Sequence, residues 1–97
     1  MEIIWSQTAN QDLKDIYNYI SKDSWYYSKK TITNIIDLSY NLVILPYIGR
    51  KIPEYNEKEK REIIYKSYRI MYKIRFNGIL INRVWHSSRL VTKKLIS

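Results

Sequence analysis

The sequence predicts an α+β fold of order β-α-α-β-β-β, an antiparallel sheet backed by a helical hairpin. Three observations predict it. Apolar residues recur at helical spacing through two segments before residue 46. After residue 60 the period changes to two, in runs rich in Ile and Tyr. Between two of those runs stands Asn77-Gly78, a strong hairpin signal because both residues tolerate positive φ. Ninety-seven residues make one domain, 1–97, since two cores in so short a chain would each be too small to be stable.

The elements follow in order. Glu2-Ile3-Ile4-Trp5 is short and apolar and reads as a first strand. Ser6 or Thr8 can cap the next helix, and Thr8 with Gln11 fits a capping box. Ala9, Leu13, Ile16, Tyr17 and Ile20 then share a face, with Asp12, Lys14, Asp15 and Asn18 opposite, so the helix spans about residues 7 to 22. A second helix starts near Asp23 or Ser24 and gathers Ile32, Ile35, Ile36, Leu42 and Val43 on one side. Pro46 and Gly49 stop it. Tyr47 to Lys60 reads as a loop, ending in the mixed run Glu57-Lys58-Glu59-Lys60. Strands are expected at Arg61 to Tyr65, Tyr68 to Arg75 and Ile79 to His86, with Lys66-Ser67 as a turn. The tail from Ser87 to Ser97 is expected as a short strand or helix.

Composition narrows the function. Without cysteine, neither a disulfide framework nor a thiolate metal site can form, and a single histidine cannot build a His-rich one. No metal or cofactor is therefore expected. Met1 to Trp5 lacks the basic start and long apolar stretch of a secretion signal. No run approaches the roughly 18 apolar residues of a membrane span, so the expected compartment is the cytoplasm and no membrane partner is expected. The charge is segregated. Residues 1–48 carry four lysines and five acids, whereas residues 49–97 carry thirteen Lys/Arg and four acids, a balance of +9. Such a half suggests an anionic partner: nucleic acid, ribosome or an acidic protein.

A type I′ turn at Asn77-Gly78 would set the register. Phe76 would pair with Ile79, Ile74 with Ile81, Tyr72 with Arg83 and Ile70 with Trp85, all facing the helices. The other face would hold Arg75 opposite Leu80, Lys73 opposite Asn82, Met71 opposite Val84 and Arg69 opposite His86. With no helical layer left to cover it, this basic face is the expected site. An arginine fork can hold a phosphate and stabilise a pentacoordinate transition state. A histidine beside it can move a proton near neutral pH. Arg50, Lys51, Lys73 and Arg89 could hold flanking phosphates, and Tyr47, Tyr55 and Tyr65 could stack on bases.

A series of motifs then runs through nearly the whole chain. Ile4-Trp5-Ser6 is followed by Ala9, Asp12-Leu13, Ile16 and Tyr19-Ile20. Next come Leu42-x-x-Leu45-Pro46, Gly49-Arg50, Ile52-Pro53-Glu54 and Arg61-Glu62. Tyr68-Arg69-Ile70-x-Tyr72 and Val84-Trp85-His86-x-x-Arg89 complete it. The series resembles the RelE/ParE family of toxins from type II toxin–antitoxin systems. The resemblance implies the fold derived above, growth inhibition, and a cognate antitoxin that wraps a helix and an extended segment around the toxin. It also implies one of two targets. ParE-like members poison DNA gyrase; RelE-like members are endoribonucleases that cut mRNA in the ribosomal A site. In a nuclease, Arg69 would match the strand arginine on the scissile phosphate. His86 would match the catalytic histidine of some members, and Arg89 the arginine after the last strand. RelE-like enzymes also carry a tyrosine shortly after that arginine, and Leu90 to Ser97 contains none. The ending Val-x-His-x-x-Arg implies the ParE-like branch, with Arg50, Lys51, Lys73, Lys93 and Lys94 as target-binding residues. The alternatives are the ribosome-dependent nuclease and a non-catalytic nucleic-acid-binding module. A double-stranded RNA-binding domain has the order α-β-β-β-α, which a leading helical hairpin does not fit.

Overall fold

The computed structural model describes residues 2–87. Its elements are β1 (Glu2–Trp5), α1 (Gln7–Ser21), α2 (Trp25–Ile44), β2 (Arg50–Lys51), β3 (Lys60–Tyr65), β4 (Tyr68–Arg75) and β5 (Gly78–His86). The expected order is present, with the two-residue strand β2 added inside the segment read as a loop. The strands form one sheet in the order β1-β5-β4-β3-β2. It is not wholly antiparallel: β1 runs parallel to β5, with the helical hairpin and the strands β2 to β4 between them in the chain.

Ser6 starts the first helix. Its Oγ accepts from the Ala9 N–H at 2.9 Å and donates to the Asn82 carbonyl at 2.9 Å, so one hydroxyl caps α1 and ties it to β5. Thr8 is already helical, which leaves the Thr8–Gln11 capping box unformed. Ser24 caps α2 by accepting from the Tyr27 N–H at 3.2 Å. Ala9 and Leu13 of α1 and Ile35 and Leu42 of α2 pack against Ile70, Tyr72, Ile79, Ile81 and Val84 of the sheet. Asn34 of α2 also donates to the Tyr65 hydroxyl at 2.9 Å.

The β4–β5 register differs from expectation. Arg75 pairs with Gly78, so Phe76 and Asn77 make the turn, and none of the three following residues has the positive φ of a type I′ turn. Left-handed residues stand elsewhere, at Asn56 and, in the β3–β4 turn, at Lys66 (φ 52° in each). Gly78 is glycine for another reason: a Cβ there would lie 2.3 Å from the Glu2 carbonyl oxygen, so glycine lets β1 approach. A second irregularity follows. Tyr72 pairs with Ile81 but Met71 with Arg83, which leaves Asn82 as the extra residue of a bulge. Beyond it every β5 side chain changes face. Val84 joins the helix-side core, and Trp85 joins Met71 on the far side.

The far side is not bare. The chain between β2 and β3 folds across it, burying Ile52 and Tyr55 against Met71 and Trp85 in a second small core. Its base is pinned by Tyr72, whose hydroxyl donates to the Pro46 carbonyl at 2.6 Å and accepts from the Gly49 N–H at 3.1 Å. Gly49 has no room for a side chain, since a Cβ would meet that hydroxyl at 2.5 Å.

Candidate functional site

The register places Arg69 and His86 apart. Arg69 pairs with Trp85, while His86 pairs with Tyr68 and meets its ring edge-on, 5.7 Å between centroids. Tyr68 packs on the helix-side core. Alternation along β4 puts Arg69 on the opposite face, with Met71. The expected Arg69–His86 cross-strand pair is therefore absent, and the cause is the shift of the turn by one residue to Phe76-Asn77 plus the Asn82 bulge.

Arg69 is also occupied. Its Nη1 and Nη2 donate to the two Glu54 oxygens at 3.0 and 2.7 Å, and its Nε donates to Glu62 Oε1 at 2.6 Å. The other Glu62 oxygen accepts from Arg50 Nε at 2.6 Å. Glu62 is fully buried beneath the covering loop and spends both oxygens on the two arginines, so the four residues form a closed, neutral latch. Both carboxylates raise the pKa of Arg69, Glu54 most of all. In return, the Arg69 hydrogen bonds hold Glu54 below the ordinary carboxylate range, against the raising effect of burial. The latch fastens the loop through Glu54 to the strand it covers.

The remaining candidates are dispersed. Lys51 lies exposed on the edge strand opposite Arg61, and Lys73 stands half-buried between Lys60 and Leu80. Arg50 exposes most of its side chain despite its bond to Glu62. Of the tyrosines, Tyr47 is exposed beneath Arg61 and Lys58, Tyr55 is buried under Lys60, and Tyr65 packs on the helix-side core. Arg89, Lys93 and Lys94 lie outside the described residues, as does most of the tail from Ser87 to Ser97.

A second ion pair, which no motif in the sequence marks, ties α1 to β5. Asp12 on α1 takes Arg83 Nε and Nη2, each at 2.9 Å, and its Oδ2 also accepts the Val84 N–H at 3.0 Å. β1 ends at Trp5, opposite Ile81. Asp12 thus supplies an acceptor to the edge of β5 where no strand remains. Arg83 lies over the Trp85 ring at 4.4 Å. Among the described residues no helix is long and apolar enough to cross a membrane, and no cluster of His, Asp and Glu is placed to hold a metal.

Comparison with known proteins decides the family. The family model for the ParE toxin of the type II toxin–antitoxin system parDE matches residues 3–91. The chain belongs to the ParE toxin family. It is a ParE-type toxin of a ParDE toxin–antitoxin system, and that family implies an antitoxin partner. A solved structure titled as the chromosomal ParDE system from P. aeruginosa shares the fold, with a TM-score of 0.74 over 89% of this chain and 95% of the other at 19% identity. No curated protein matches significantly.

Proposed function

We propose that this ParE-family chain arrests growth by acting on DNA gyrase in the cytoplasm, and that its antitoxin neutralises it by direct binding. The observation that carries the choice of target is the latch. A nuclease needs an arginine fork open to a phosphate and a proton-transferring group within reach of the same phosphate. Here the Arg69 fork is filled by Glu54, its Nε by Glu62, and His86 lies across the sheet on the other face. A binding inhibitor has no such requirement. Arg50, Lys51 and Lys73, with Arg89, Lys93 and Lys94 beyond the described residues, then act as contacts to the gyrase–DNA complex, a strongly anionic target.

One purified preparation tests both targets. Supercoiling by gyrase should be blocked, and mRNA on translating ribosomes should stay intact. His86→Ala should leave the block within about threefold, because no proton passes through it. RNA cut in the A site, and lost in His86→Ala by about 10²-fold or more, would overturn the proposal in favour of the nuclease.

A further inference from the structure

Among the described residues, the largest cluster of exposed aliphatic side chains lies where α2 ends. Ile44 is 79% exposed, Ile48 60% and Leu45 54%, with Tyr40 and Tyr47 beside them. Ile44 to Ile48 line an open crevice of about 360 Å³. The core does not need these side chains: Ile35 and Leu42 fill the inward positions of α2 and are fully buried. Nor is the segment loose. The Tyr72 hydroxyl fixes the Pro46 carbonyl and the Gly49 N–H, so the backbone carrying Leu45, Tyr47 and Ile48 is held while their side chains point outward. Aliphatic groups presented this way on a rigid turn lose little entropy when covered, as a preorganised docking surface requires.

The charge around the patch is mainly cationic. Residues 38–53 contain no acid, and Arg50 and Lys51 close that stretch. Lys58 and Arg61 complete the rim by lying over the Tyr47 ring, at 5.6 and 4.9 Å. Of the acids that flank it in sequence, Glu54 and Glu62 are engaged in the latch and Glu57 with Lys60, which leaves Asp37, seven residues before Ile44 on α2, and Glu59. An apolar centre with a cationic rim fits a partner with an apolar centre and a carboxylate rim. It does not fit a second copy of this chain, because two such rims would face each other with like charge.

We infer that this patch seats the antitoxin, through an amphipathic acidic segment whose apolar side chains cover Ile44, Leu45 and Ile48. Its carboxylates meet Arg50, Lys51, Lys58 and Arg61. The inference rests on the toxin–antitoxin reading and adds to it the surface and the chemistry of the partner.

The test uses the full toxin and the antitoxin encoded beside it. Ile44→Glu/Ile48→Glu adds carboxylates at two well-exposed positions, and Ile44→Ser/Ile48→Ser removes the apolar surface without charge. Expressed alone, both variants should arrest growth like the natural chain. The Glu pair should bind the antitoxin about 100-fold more weakly and the Ser pair about 10-fold, so co-expressed antitoxin should no longer rescue growth. Lys58→Glu should weaken binding further at low salt than at high salt. Unchanged antitoxin affinity in both double variants would overturn the inference. So would variants that keep antitoxin binding but lose growth arrest, which would assign the patch to the target. Unchanged antitoxin affinity with loss of a toxin dimer would assign it to self-association. If the natural chain neither arrests growth nor binds that antitoxin, the toxin–antitoxin reading itself fails.

Discussion

Arg69→Met separates a structural from a functional role for the buried arginine. The substitution keeps an apolar stem beside Met71 and Trp85 and removes three charge-assisted hydrogen bonds. Glu54 loses its partner but reaches water, since its side chain is 36% exposed. Glu62 cannot: it is fully buried and keeps only Arg50, itself largely in solvent. Breaking a buried pair from one side costs about 3–5 kcal/mol, and the surviving Arg50 bond argues for the lower end. At about 4–8 °C per kcal/mol for a chain this short, a loss of about 3 kcal/mol lowers Tm by roughly 12–24 °C. Urea unfolding followed through Trp5, Trp25 and Trp85 fluorescence, with melting by circular dichroism, reads it directly. Replacing Glu62 as well, in Arg69→Met/Glu62→Met, should recover most of the loss, because no buried charge is then stranded. If Arg69→Met abolished toxicity while melting within about 3 °C of the natural chain, well under 1 kcal/mol, the latch argument would be refuted. Arg69 would then act at the target.

Other perturbations probe the remaining supports. Because Glu54 has a depressed folded pKa, its contribution is complete above its unfolded value of about 4.3 and is lost as pH falls through the lower folded one. Between about pH 4.5 and pH 3 the natural chain should lose stability more steeply than Glu54→Gln, and parallel pH–Tm curves would contradict this. Tyr72→Phe removes both hydroxyl contacts that pin residues 46 and 49 and should cost about 1–3 kcal/mol, with faster amide exchange at Gly49. In Gly78→Ala the new methyl meets the Glu2 carbonyl, so β1 should detach or shift at about 1–3 kcal/mol. Unchanged exchange protection at Ile3 to Trp5 would show that the approach is not tight. Asp12→Ala strands the Val84 N–H and the Arg83 fork and should cost about 2–3 kcal/mol in chemical denaturation.

Much of this architecture is legible in the chain before folding. Both helices follow from apolar spacing, to within a residue or two of Gln7–Ser21 and Trp25–Ile44, and Ser6 and Ser24 were available as caps. The alternation of Ile70, Tyr72 and Ile74 gives the inner face of β4 correctly. The site was harder to read because two local signals meant something other than their usual meaning. Gly78 follows Asn77 as in a tight turn, yet it serves a contact with Glu2 from the far end of the chain. Asn82 interrupts the alternation of β5 and carries His86 to the other face, and nothing in Ile81-Asn82-Arg83-Val84 marks a bulge. The latch left a fainter trace. Glu54 and Glu62 are two of only four acids in the basic half, and charges so outnumbered, placed beside buried apolar residues, suggest partners rather than solvent.

The parallel pairing of β1 with β5 also orders events in time. Ser6 meets the Asn82 carbonyl across 76 residues, which at about 5–20 residues per second means roughly 4–15 s of synthesis between the two. Until then Ile3 and Trp5 have no strand to lie against, Asp12 has no edge to close, and the helical hairpin has only part of its sheet. The first strand made is among the last to be seated. A nascent toxin therefore remains unfinished until β5 has been made, which leaves its antitoxin that interval in which to be present when the fold closes.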